Sequence, residues 1–289
     1  MVSVSASRGG ESGVTLVELL VVLVVGAAVL GAVARVLHDN QRLYRSESQV
    51  LDVEDGLRAV VQLLPAELRE LDARGGDLVA MGRDSVSLRA TRSVGVICAR
   101  PDPTAGVAVV ADSLTFGWRA VDPSRDRALV FREGDPDAPD DDRWLDLAIT
   151  GVSAGAACDG GGRGTSLHLS GATADLDGVL AGSPLRTYER VVYRLYTDEQ
   201  GLSWLGERGY GGGAWSSLSP VAGPLRRVGG LAFSFYDTAG APATGPGDVA
   251  RVGIVARGLS AATIDMPGRA AFGRQYADSI VMQVALRNN

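Results

Sequence analysis

Between Val14 and Ala34 lie 21 residues, of which only Thr15 and Glu18 are polar. Wound as a helix at about 1.5 Å per residue, the run is roughly 31 Å long, the thickness of a bilayer's hydrocarbon core. Glu18 is the anomaly. A carboxylate at membrane depth is unfavourable by roughly 3 kcal/mol, and ionisable residues there are usually paired. The chain can make a partner by being cut: cleavage between Gly13 and Val14 frees an α-amino group four residues from Glu18. The amine pairs with the carboxylate either within one helix or between neighbouring subunits, and in the second case the pair also sets an axial stagger.

The block Gly13-Val14-Thr15-Leu16-Val17-Glu18-Leu19-Leu20, after a short Ser- and Gly-rich leader and ahead of an apolar helix, resembles the prepilin cleavage and methylation motif of type IV pilins and type II secretion pseudopilins. The resemblance covers only the first 35 or so residues. It implies that prepilin peptidase cuts after Gly13 and N-methylates Val14, and that Thr15 and Glu18 serve subunit assembly. Phe is usual after the cut, where this chain has Val14. Two other readings stay open. Ala32-Val33-Ala34 is an Ala-x-Ala signature of an ordinary secretory signal, although Glu18 interrupts the apolar core and the run exceeds the usual length. The other is a plain signal anchor.

After Ala34 the apolar pattern changes. Leu43, Val50, Leu57, Leu64 and Leu71 recur every seven residues, with Arg42, Glu47, Asp52, Asp55 and Arg58 between them. This predicts an amphipathic helix over 36–74 that continues the membrane span (14–35) and buries one stripe. Pro65 is expected to kink or restart it, and Arg74-Gly75-Gly76 to stop it.

From Asp77 the period becomes two. Val86/Leu88/Ala90, Val191/Tyr193/Leu195, Leu231/Phe233/Phe235, Val252/Ile254/Ala256 and Ile280/Met282/Val284/Leu286 alternate with other residues, as in antiparallel strands with one buried face. Ser113–Trp118, Ala128–Phe131, Trp144–Ile149, Ser166–Leu169 and Gly201–Leu205 are weaker strand candidates. Gly 38 against moderate charge suits a loop-rich β head. The predicted fold is α+β: a leader (1–13), a long N-terminal helix, and a mainly antiparallel β head over 77–289. The order of strands and turns from Arg190 to Val255 resembles the larger minor subunits, J-like pseudopilins and PilW-like minor pilins.

Net charge is −6 (28 Lys and Arg, 34 Asp and Glu), so counterion release favours no nucleic-acid partner. Cys98 and Cys158 are the only cysteines. On the oxidising side of a membrane they are either bridged or two separate buried thiols. A bridge closes a loop of 61 residues, inclusive, worth about 4 kcal/mol on the chain-entropy model. Asp135-Pro136-Asp137-Ala138-Pro139-Asp140-Asp141-Asp142 is rich in the oxygens Ca²⁺ needs but lacks the EF-hand order, and reads as a solvated loop. His38 and His168 are far apart in sequence, Gly160–Gly162 lacks the Gly-Lys-Ser/Thr of a phosphate loop, and no nucleophile elbow is present.

A structural subunit rather than an enzyme is therefore expected, with no cofactor. The family resemblance implies prepilin peptidase, other pilin or pseudopilin subunits, an inner-membrane assembly platform and the bilayer as partners, with the head in the periplasm. The alternative is a secreted or anchored β-rich binding protein cut near Ala34.

Overall fold

The structure is a computed structural model describing residues 14–135, 137, 141–264 and 274–287. A single helix, α1 (Leu16–Arg69, 54 residues), leads into an antiparallel β head. At about 1.5 Å per residue, α1 is roughly 80 Å long. Residues 14–45 are all exposed, whereas Ser46, Val50, Val53, Leu57, Val60, Leu64 and Leu68 are buried. That three-and-four spacing is the stripe the heptads predict, beginning one heptad later than Leu43, which stays exposed. The helix runs through Pro65 without the expected kink or restart and ends at Arg69, short of the expected stop at Arg74-Gly75-Gly76, with Glu70 as its C-cap. Pro65 is itself buried in the core, near the end of the helix, where only one intrahelical bond is lost.

Fourteen strands follow: β1 (Leu78–Met81), β2 (Ser85–Asp102), β3 (Val107–Ala111), β4 (Phe116–Gly117), β5 (Asp126–Arg132), β6 (Arg143–Ala157) and β7 (Arg163–Ser170), then β8 (Pro184–Thr197), β9 (Ser203–Gly211), β10 (Ala214–Trp215), β11 (Ser219–Leu225), β12 (Leu231–Tyr236), β13 (Arg251–Ile264) and β14 (Arg274–Ala285). They enclose two separate cores.

In the first lobe, β1, the first half of β2, the second half of β8, and β9, β11, β13, β12 and β14 curl round the buried half of α1. The helix lies close on this sheet because glycine permits it. A Cβ on Gly56 would collide with the Gly223 carbonyl, and one on Gly258 would press on Val53 and Leu57.

In the second lobe no α-helix takes part among the described residues. β2 pairs β3, β3 pairs β7, β7 pairs β6, β6 pairs β5, β5 pairs β8, and β8 pairs β2 again. The ladder closes on itself as a six-stranded antiparallel barrel. Its interior holds Ile97, Val110, Val130, Leu147, Leu167 and Leu185 among others, and closure removes the edges that an open sheet would expose.

Two strands belong to both lobes, and β2 is reshaped to do so. Its pairing with β8 steps from Thr91↔Tyr188 to Ser93↔Thr187, leaving Arg92 as an extra residue. A bulge of one residue exchanges the two faces of a strand. Accordingly Val86, Leu88 and Ala90 face the first core, while Ser93, Gly95 and Ile97 are the buried residues beyond the bulge.

Candidate processing and assembly site

The N-terminal segment is built by a helix start. Thr15 is the N-cap of α1, in extended conformation, and its hydroxyl accepts a hydrogen bond from the Glu18 backbone N–H at 3.3 Å. Thr-x-x-Glu is the sequence of a capping box, which satisfies backbone donors left open at a helix start. Glu18 lies in the first turn, where a negative charge is favoured by the helix dipole. Val14 is the first described residue, exposed and outside the helix. Gly13 lies outside the described residues. Thr15 and Glu18 thus share the task of starting the helix, which the sequence reading did not assign to them.

An 18-residue window of α1 has a mean hydropathy of 2.8 and none of it is buried within the chain, so the helix is long and apolar enough to cross a membrane. The balance of forces is not close. The run from Val14 to Ala34 contains thirteen Leu and Val residues, each favouring insertion by roughly 0.3–0.6 kcal/mol near the helix centre, against about 3 kcal/mol for one carboxylate there. Held in water, the same side chains would forgo roughly 1.5–3 kcal/mol each. The segment thus favours an apolar environment despite Glu18.

The head grips the helix by ion pairs as well as by packing. Arg92, the bulged residue, reaches Glu67 of α1 at 2.9 Å and Glu189 of β8 at 3.2 Å. Arg119 joins from the loop before β5, bonding Asp126 at 2.6 Å and Glu189 at 3.0 Å. Burial alone would lower the Arg92 pKa, but Glu67 and Glu189 more than offset it and hold the guanidinium charged. Burial, with Glu67 beside it, pushes the Glu70 carboxyl above its usual range. Just past the helix, the fully buried Asp77 carboxylate takes a forked pair of bonds from Arg186, at 2.6 and 3.1 Å, and a backbone bond from Asp72. The pairs of Arg92 with Glu67 and Glu189, of Arg119 with Glu189 and of Arg186 with Asp77 are not visible in sequence, since their partners lie 25 to 109 residues apart.

The other candidates are scattered. Cys98 of β2 and Cys158 after β6 are joined, with Cα atoms 5.1 Å apart, and the Asp159 N–H bonds the Cys98 carbonyl. The β6–β7 hairpin tip is thereby fastened to β2. Gly161 and Gly162 take positive φ, and their backbones bond to Cys158, so that stretch is the hairpin turn. His38 is exposed on α1, and His168 on β7 lies 3.2 Å from the Ser153 hydroxyl. In the acidic loop, Pro136 and 138–140 lie outside the described residues. The carboxylates of Asp135, Asp141 and Asp142 accept backbone N–H groups of the loop itself.

No curated protein and no solved structure matches the chain. Residues 8–34 match the family model described as the prokaryotic N-terminal methylation motif. The match spans Gly13, Val14, Thr15 and Glu18, and ends at Ala34 within the exposed half of α1. A capped, unburied apolar helix carrying that motif supports a processed subunit of the type IV pilin and pseudopilin kind.

Proposed function

We propose that the chain is a minor pilin or pseudopilin, a structural subunit and not an enzyme. Prepilin peptidase cuts between Gly13 and Val14 and methylates the new amine. The subunit then waits as a single-pass protein of a bacterial inner membrane, with its head in the periplasm. An assembly platform extracts it into a type IV pilus or type II secretion pseudopilus. In that step α1 exchanges lipid for the helices of other subunits, and Glu18 meets the Val14 amine of a neighbour.

One observation carries this reading: the apolar half of α1 is left unburied by the described residues, yet opens with a capped Thr15 and an acid at Glu18. The two-lobed head is larger than a filament shaft needs, which favours a J-like or PilW-like minor subunit at the tip. N-terminal sequencing of the protein recovered from cells is the test. The expected terminus is methylated Val14; a terminus at Arg35 indicates a secreted protein, and retention of residues 1–13 rejects processing. In processed cells Glu18→Ala should leave cleavage intact and lower incorporation into filaments at least tenfold, and normal incorporation would remove the charge-pair argument.

A further inference from the structure

The barrel is sealed at one end only. The short 3-10 turn Thr173–Gly178 caps the far end, with Leu176 and Val179 fully buried. At the end nearer the first lobe, the segment 112–121 folds over the opening, pinned where Ser93 and Val94 pair with Gly117 and Phe116 of β4. Beneath it is a cavity of about 380 Å³, within the size range of small-molecule sites, for which the mouths of β-barrels are a recurrent place.

The lining dictates the chemistry. Val110, Val121, Leu167 and Leu185 supply apolar wall, and Val152 lies on the exposed rim. Between them, the hydroxyls of Ser93 and Thr187 bond each other at 2.7 Å, in residues 6% and 1% exposed. Two hydroxyls carry two donor hydrogens, and their mutual bond uses one. The second is left over at the cavity wall, since each oxygen's partner among the described residues is the other. The remaining polar groups are acceptors or are committed. Thr115 donates to the Ala111 carbonyl and Thr165 to Asp112, so both keep lone pairs. Arg119 is occupied by Asp126, Glu189 and the Ala120 carbonyl. With its one cation spent and the Asp112 carboxylate at an exposed edge, the mouth offers an anion no free positive charge.

The geometry points to a binding site in the barrel mouth for a small neutral molecule: an apolar body about one aromatic ring in size, bearing a hydrogen-bond acceptor that takes the spare Ser93–Thr187 proton. The inference rests on the barrel alone and holds whether or not the chain assembles into a filament.

Protein-observed NMR on the full chain in lipid nanodiscs tests it, with 2-phenylethanol, ethylbenzene and phenylacetate as probes. The expected result is saturable shifts at the amides of Ser93, Gly95, Thr165 and Thr187 with 2-phenylethanol, about tenfold weaker binding of ethylbenzene, which lacks the acceptor, and none of phenylacetate. Ser93→Ala with Thr187→Val should bring 2-phenylethanol down to the level of ethylbenzene. Val152→Trp, at a rim position that tolerates bulk, should abolish binding of both while leaving the spectrum of the first lobe intact. No saturable shift with any probe overturns the site, as does binding that survives Val152→Trp. Equal affinity for ethylbenzene and 2-phenylethanol overturns the role given to the hydroxyl pair.

Discussion

The two lobes solve the same problem by different means. The first covers one face of an open, curled sheet with the buried half of α1; the second does without α1 and buries its apolar side chains by closing a barrel. The first lobe therefore depends on a helix whose other half is long and apolar enough to cross a membrane, and its stability is tied to where that helix sits. The second depends on its strands, on the cap at Leu176 and Val179 and on the Cys98–Cys158 bond. Between them stands Arg92, bonded both to Glu67 of α1 and to Glu189 of β8, a strand running through both lobes.

The largest effect is expected at that junction. Arg92→Leu leaves Glu67 and Glu189 buried beside each other without this cation and should cost about 4 kcal/mol. Hydrogen exchange should then show the lobes opening at different free energies; unfolding as one unit would mean that the shared strands alone couple them. Next is the double change Cys98→Ser with Cys158→Ser, which should lower barrel stability by roughly 4 kcal/mol on the chain-entropy model, with first-lobe amides unaffected. Protection lost equally in both lobes would erase the distinction. Leu57→Ala and Leu147→Ala each remove a fully buried side chain and should each cost about 3 kcal/mol. Exchange should rise in the first lobe for Leu57→Ala and in the barrel for Leu147→Ala.

The smallest effect concerns Glu207 on β9. Burial raises its pKa, and Glu67 and Glu189 add to the rise while Arg92 and Arg125 oppose it. A raised carboxyl pKa means that the native state holds the proton more tightly than the unfolded chain. Stability is thus lost as pH rises from the ordinary Glu pKa through the folded one. Because the side chain is partly in water, the term is screened. Glu207→Gln should gain a few tenths of a kcal/mol at pH 7 and nothing at pH 3, measured as the change in Tm at each pH. A loss at pH 7 would mean that its ionised form is needed beside Arg92.

Much of the first lobe was legible in sequence. The heptad stripe from Val50 to Leu71 and the alternations Val86/Leu88/Ala90 and Val252/Ile254/Ala256 name its inward face directly, because one period holds along each element. The barrel was legible only in pieces: Ala128–Phe131, Trp144–Ile149 and Ser166–Leu169 fall within β5, β6 and β7, but nothing marked them as one closed unit. Past Arg92 the buried parity of β2 changes from even to odd, so a window spanning the bulge shows no clean period. Closure itself rests on the pairing of β2 with β8 across about ninety residues, which no local pattern encodes. The processing segment was readable because Thr15, Glu18 and the apolar run are contiguous. The ion pairs that fasten α1 to the head were not, since an arginine on a strand looks the same whether it faces water or a buried glutamate.

The bulged pairing also has a genealogical consequence. Val96 on β2 and Pro184 on β8 are direct partners, so the chain enters and leaves the barrel side by side, and residues 97–183 amount to a detour out of what is otherwise a hairpin. Replacing that detour with a two-residue Asn-Gly turn should leave a smaller, soluble-headed anchor that still folds, a prediction that circular dichroism of the shortened chain would decide. A body plan with such a detachable module can acquire or shed a recognition unit without disturbing the rod that carries it.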